Sequence, residues 1–171
     1  MNLIDTFQNL VAHVPEFVQP FVVALAGAVP FIEGEGSAAI GVIGGINPVI
    51  AAASGAIGNF ACVAILVLLS AGTRRAIVDR RRAAVVAGGG SVAASEPVSP
   101  RKEKFQRALV RYGVPGVSLL GPLLLPTQFT ATMLAAAGVT RARILFWQGL
   151  AIVLWTTLVT LIITGVISVA Q

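Results

Sequence analysis

The stretch PFIEGEGS, residues 30–37, sets two carboxylates, Glu33 and Glu35, between the apolar runs FVVALAGAV and AAIGVIGGI. An acidic side chain at the middle of a bilayer costs roughly 2.5 to 3.5 kcal/mol on insertion scales, so its presence calls for a use or an offset. The lengths on either side decide what kind of element carries it. At about 1.5 Å per residue, the arm 17–31 reaches about 22 Å and the arm 37–46 about 15 Å, against about 30 Å of hydrocarbon. Neither arm crosses alone. The expected element is a re-entrant hairpin turning at Pro30, Gly34 and Gly36, which membrane depth tolerates only where protein or a watery cavity surrounds it. One broken helix crossing fully is the alternative.

Composition agrees with a membrane setting. Of 171 residues, 56% are hydrophobic and 11% charged, and the mean hydropathy is +0.89, far from the usual soluble domain. The expectation is an all-α integral membrane protein with a single membrane domain. The N-terminus lacks the basic start and small-residue cleavage site of a signal peptide, so it is expected to be retained. Cys62 lies in an apolar run and reads as a small packing residue. His13 has no second ligand-type residue at metal spacing. No metal and no cofactor are expected.

Residues 49–72, VIAAASGAIGNFACVAILVLLSAG, make about 36 Å of helix, enough to cross with some tilt. Arg74 and Arg75 follow. All 12 Lys and Arg residues lie between Arg74 and Arg143. The positive-inside rule therefore places segment 73–107 on the cytoplasmic side of a multi-pass chain. Glycine, serine and proline make 73–106 a flexible connection. Its charge reads as a topology signal resting on anionic lipid, with no nucleic-acid partner. Before the first hairpin, Leu3, Ile4, Phe7, Leu10, Val11, Val14 and Phe17 recur at helical spacing. Residues 1–16 are thus an amphipathic helix, lying along the interface or packed on the protein's own surface.

Beyond the loop the order repeats. Arg107 and Arg111 precede YGVPGVSLLGPLLLPTQFTATMLAAAGV, and Arg141 and Arg143 follow it. Both ends carry the cytoplasmic signature, which a simple span cannot satisfy. Pro122 and Pro126 each remove a backbone donor and break the helix, so a second hairpin enters and leaves from the cytoplasm. Residues 144–169 then cross outward, with Trp147 and Trp155 as anchors or packing residues. The halves 17–72 and 107–171 form two inverted half-repeats, each a re-entrant hairpin followed by a full crossing. A shift of 94 residues lays Gly44 on Gly138 and Gly55 on Gly149. Inverted repeats with broken helices near the midplane are a transporter architecture.

With the two tips meeting from opposite sides, Glu33 and Glu35 face Thr127, Gln128 and Thr130, which donate hydrogen bonds. The helix starting near Ser37 adds unpaired N–H groups and a favourable dipole. Carboxyl groups held out of water and near one another keep a proton to higher pH than in water, so the pair is expected to exchange one near neutral pH. The bland reading makes the acids helix caps, or partners of Arg111. Asn59 reads as helix-to-helix glue. Arg107 and Arg111 are interfacial anchors or a lipid headgroup site. No catalytic motif is present, and no enzyme is expected.

The segment VPFIEGEGSAAIGVIGGINPVIAAASGAIGNFACVAILVLL resembles the first half of the small multidrug export protein family. RYGVPGVSLLGPLLLPTQFTATMLAAAGVTRARILFWQGLAIVLWTTLVTLI resembles its second half. That family is in turn distantly similar to the DedA membrane proteins, whose opposed hairpins are linked with lipid-carrier flipping. The resemblance implies that Glu33 and the Pro126 turn are the functional elements. Two positions depart from the family: Glu35 and Gly36 stand where a basic residue commonly follows the acid, and PTQFTAT is poorer in glycine than the usual second turn.

The leading expectation is a small secondary transporter exporting cationic or amphipathic small molecules against protons, with Glu33 the principal acid. A DedA-like lipid-carrier flippase is the alternative, in which Arg107 or Arg111 holds a phosphate headgroup. A non-transporting membrane partner subunit is the third. Membrane lipids are the surroundings. A homodimer is expected because one chain encloses little space.

Overall fold

In the computed structural model, which describes residues 2–86 and 100–170, every regular element among the described residues is helical. The first helix is α1 (Leu3–His13), and the Asn2 side chain caps it in a reciprocal box with Asp5, which satisfies two end N–H groups. Val11 on its inner face is fully buried, whereas Leu3, Ile4 and Leu10 are exposed. One stripe therefore packs on the protein, and the other faces outward.

A short pair follows, α2 (Gln19–Gly27) and α3 (Glu33–Ile43), and then α4 (Pro48–Val86). The second half contains α5 (Pro100–Leu120), a single 3-10 turn (Gly121–Leu123), α6 (Thr127–Ala136) and α7 (Arg141–Ala170). Among these, Pro48–Ser70 and Arg141–Ala170 are long and apolar enough to cross a membrane. At 9 and 11 residues, α2 and α3 reach about 14 and 17 Å, too short to cross.

The surface is unusually apolar for a soluble domain, and the mostly apolar core also holds a set of polar side chains. Ile57, Ile65, Leu69, Phe146, Leu161 and Val166 are exposed, while Glu33, Asn59, Gln128, Gln148 and Thr156 are buried. Hydrocarbon surroundings remove the penalty on outward apolar side chains and give buried polar groups a reason to cluster. Two apolar clusters flank the polar interior. Val11, Val23, Ile40 and Ala51 hold α1 to α4 together, and Val63, Val117, Leu134 and Ile152 join α4 to α7.

Three boundaries differ from the expectation. The first tip lies at residues 28–32, and α3 begins at Glu33, four residues before Ser37. Pro30 sits within this tip, and Phe31 and Glu33 take left-handed backbone, with φ 71° and 54°. Carboxylates in a first helical turn are favoured by the dipole, which explains why Glu-Gly-Glu-Gly starts a helix and does not form the turn. Gly34 and Gly36 are thus helical, not turn residues, and Gly34 serves close packing: a Cβ there would overlap the Thr156 hydroxyl.

Secondly, the connection 73–106 is helical at both ends. The helix α4 runs to Val86 because TRRAIVDRRRAAVV lacks glycine and proline, and α5 starts at Pro100. The stretch 87–99, expected to be flexible, lies outside the described residues. Thirdly, α5 breaks at Gly113, whose φ of 66° is left-handed and whose lack of Cβ permits it. Residues 114–120 are therefore a separate arm, which separates Arg107 and Arg111 from the second tip.

Candidate functional site

Glu33 is the first residue of α3 and is 7% exposed. Its neighbour across the interior is Thr127, the first residue of α6. Pro126 produces this arrangement: extended at φ −52° and ψ 142°, it starts α6 abruptly and leaves the Thr127 N–H with no partner in its own helix. That N–H donates to Glu33 Oε1 at 2.5 Å, and the Thr127 hydroxyl lies 2.6 Å from the same oxygen. The carboxylate thus sits between two helix N-termini, and its charge offsets both positive dipole ends. The expectation set Thr127, Gln128 and Thr130 as donors from the opposite tip and added the dipole of a helix starting near Ser37. In the structure the Thr127 N–H and hydroxyl reach the acid, and the acid's own helix starts at Glu33 itself.

The cluster extends to α4. Thr127 Oγ1 lies 3.0 Å from Asn59 Oδ1 and 3.4 Å from Gln128 Oε1, and Gln128 Nε2 donates to Asn59 Oδ1 at 3.2 Å. A threonine hydroxyl carries one proton, so it serves one of these acceptors at a time. With Glu33 ionised, Thr127 donates to the carboxylate and Gln128 alone serves Asn59. With Glu33 protonated, its O–H donates to Thr127 Oγ1, which turns to Asn59 Oδ1. One rotating hydroxyl accommodates both states with no change in heavy-atom positions. Asn59 Nδ2 is buried with no protein partner.

Other candidate residues fall nearby or elsewhere. Glu35 is half-buried on the same turn of α3, and no described hydrogen bond joins it to Thr127, Gln128 or Thr130. Thr130 is buried one turn into α6, its hydroxyl unpartnered, packed where Gly121 leaves room. Pro122 lies in the 3-10 turn before the tip. Phe31 and Phe129 meet across the tips, with ring centroids 6.2 Å apart. Arg107 is exposed and pairs with Glu103 at 3.4 Å, and the Arg111 guanidinium lies over Tyr112. Neither arginine touches the Glu33 cluster, so the proposed pairing of the acid with Arg111 is absent.

Sequence reasoning gave one participant another role and did not single out two buried polar side chains on α7. Asn59, read as glue, is a member of the cluster. Its depth is set by Gly58, where a Cβ would overlap the Ala24 carbonyl, so α2 and α4 touch. Gln148 and Thr156 are buried on α7, with Gln148 donating to Ser118 Oγ at 3.3 Å. Single amides inside apolar helices are the available signal, since each is costly unless used. Trp155 packs inward, donating to the Leu119 carbonyl at 2.8 Å. Among the described residues no group of acidic, His or Cys side chains could hold a metal ion. Comparison with protein-family models, curated proteins and solved structures finds no match to this chain.

Proposed function

We propose that the chain is a small secondary transporter of the bacterial cytoplasmic membrane that exports a cationic or amphipathic solute in exchange for protons. The observation that carries this reading is the Glu33 carboxyl, buried at the junction of α3 and α6, with no described basic side chain beside it and a hydroxyl able to serve both its protonation states. An acid that holds a proton or a cation, but not both, couples their movements. Glu35 assists at the mouth of the same junction, and the reading adopts the resemblance to the small multidrug export family.

The proposed architecture is a pair of inverted half-repeats, α2–α4 and the inner part of α5 to α7, each a re-entrant hairpin followed by a crossing. Its support is the packing pattern. Exchanging α2 with α5, α3 with α6 and α4 with α7 maps the contacts onto themselves: α2 on α4 answers α5 on α7, α3 on α7 answers α6 on α4, and α4 on α7 answers itself. Glu33 and Thr127, separated by 94 residues in sequence, are equivalent positions under that exchange and touch each other, as residues on a pseudo-two-fold axis do. Segment 73–107 is cytoplasmic, both termini are outside, and two copies form the working unit.

Glu33→Gln tests the coupling. The amide keeps the acceptor for the Thr127 N–H but cannot ionise, so insertion persists while uptake of an organic cation such as ethidium into inverted vesicles stops responding to an imposed pH gradient. The lipid-carrier reading lacks such support, because Arg107 pairs with Glu103 and Arg111 lies over Tyr112, neither bonded to the acid.

A further inference from the structure

We propose that the outer part of α5, residues 100–112, and the start of α7 form a docking surface for anionic phospholipid, with Lys104, Arg107, Arg111, Arg141 and Arg143 meeting the headgroup phosphates. The proposal is independent of Glu33 and of transport.

The place of this helix follows from comparison with α1. Displaced by 94 residues, Val11, Val23 and Ile40 fall on Phe105, Val117 and Leu134. The first three are buried together in one apolar cluster, and the second three in the other. The outer part of α5 therefore stands to the second hairpin as α1 stands to the first: an amphipathic helix seated by one buried side chain, Phe105 in the place of Val11. Ala108 and Leu109 continue the inward stripe of α5, packing on the same cluster, whereas Glu103, Lys104, Arg107, Val110 and Arg111 are exposed. Gly113, at φ 66°, then turns the chain into the inner arm. A helix with one stripe packed and a basic face outward suits the level of the lipid headgroups.

Charge separates the two helices. Phe105 shares its cluster with Ile144, which follows the exposed Arg141 and Arg143 on α7. One end of the molecule thus gathers Lys104, Arg107, Arg111, Arg141 and Arg143 around a single acid among the described residues there, Glu103. Residues 2–19, which include α1, carry Asp5 and Glu16 and neither Lys nor Arg. The helices match in packing and oppose in charge, so packing does not account for the cations. Their protein contacts are slight. Arg107 pairs with Glu103 at 3.4 Å with both side chains largely exposed, a geometry that contributes little, and Arg111 stacks over Tyr112. A guanidinium has five N–H donors in a fork that matches phosphate, and neither contact uses them all. Val110, 89% exposed, lies three residues from Arg107, which sets an apolar side chain beside a cation as the boundary between acyl chains and headgroups requires. Near an anionic leaflet each Lys or Arg strengthens binding roughly fivefold.

Site-directed fluorescence tests this on the full chain. In a Cys62→Ala background, Val110→Cys and, on α1, Leu10→Cys are each labelled with an environment-sensitive fluorophore and reconstituted into vesicles of phosphatidylcholine, alone or mixed with phosphatidylglycerol. Phosphatidylglycerol is expected to shift the emission at position 110 to the blue and to shield it from the neutral quencher acrylamide, while the label at position 10 stays unchanged. Raised salt is expected to reverse the shift, because it screens exposed charges. Lys104→Gln, Arg107→Gln and Arg111→Gln combined are expected to abolish it. The absence of a shift at position 110, an equal shift at position 10, a shift that salt leaves intact or one that survives the triple substitution overturns the proposal. The salt arm needs no further substitution and decides the matter even where the triple variant does not reconstitute. Both leaflets have the same composition and no flux is measured, so the outcome is separate from the orientation of the chain and from the role of Glu33.

Discussion

Glu33 is held by donors that an uncharged isostere can still use, and Thr127 supplies both. Thr127→Val deletes the hydroxyl while retaining the N–H and the side-chain shape. It removes a hydrogen bond to a charged group, so a loss of about 1.5 to 3 kcal/mol is expected, read as a lower melting temperature in detergent. Gly34→Ala places a methyl on the Thr156 hydroxyl, and overpacking of this kind costs about 1 to 3 kcal/mol. Thr156→Ala clears the space, so the double variant is expected to regain part of the stability that Gly34→Ala loses; no recovery in the same melting assay means the two residues do not meet. At this scale the acid itself was legible, because a charge inside an apolar run is costly wherever it falls. Its partners were partly legible: Thr127 followed from opposing the tips, whereas Asn59, Gln148 and Thr156 carry no pattern in the sequence that marks which way they face. The role of Gly34 was not legible at all, since close approach to α7 is a tertiary fact.

The elements were read correctly where length decided and incorrectly where local sequence had two outcomes. Short arms around the acid and two long apolar helices follow from counting residues against about 30 Å of hydrocarbon. The tip did not, because Glu-Gly-Glu-Gly looks like a turn by propensity, yet its carboxylates favour a helix start. Arg-rich and Ala-rich sequence beyond Gly72 forms helix for the same local reason that Gly, Ser and Pro further on suggested a loop. The break in α5 at Gly113 yields a prediction of its own. At φ 66° and ψ −174° a residue with a Cβ is strained by roughly 1 to 3 kcal/mol, so Gly113→Ala is expected to lower stability by about that amount in thermal unfolding. Ala substitution at Gly116, which is helical, lacks this backbone cost, although its Cβ would overlap the Tyr112 Cβ one turn earlier. A larger effect at Gly116 than at Gly113 would show that side-chain crowding, not the bend, dominates here.

For the whole molecule, two helices long and apolar enough to cross a membrane and a largely apolar surface agree with a hydrocarbon setting, and the proposed inverted arrangement of the halves is open to a direct topology test. Reporters fused to each terminus and inserted near Ser91 are expected to place the termini outside and the insertion in the cytoplasm; a cytoplasmic terminus contradicts the inverted arrangement. Coupling through Glu33 is the central claim, and proton movement is its most direct readout. In proteoliposomes loaded with a pH-sensitive dye, addition of ethidium to the wild-type chain is expected to drive a proton flux that Glu33→Gln abolishes while reconstituting to the same level. An equal flux from Glu33→Gln contradicts the account.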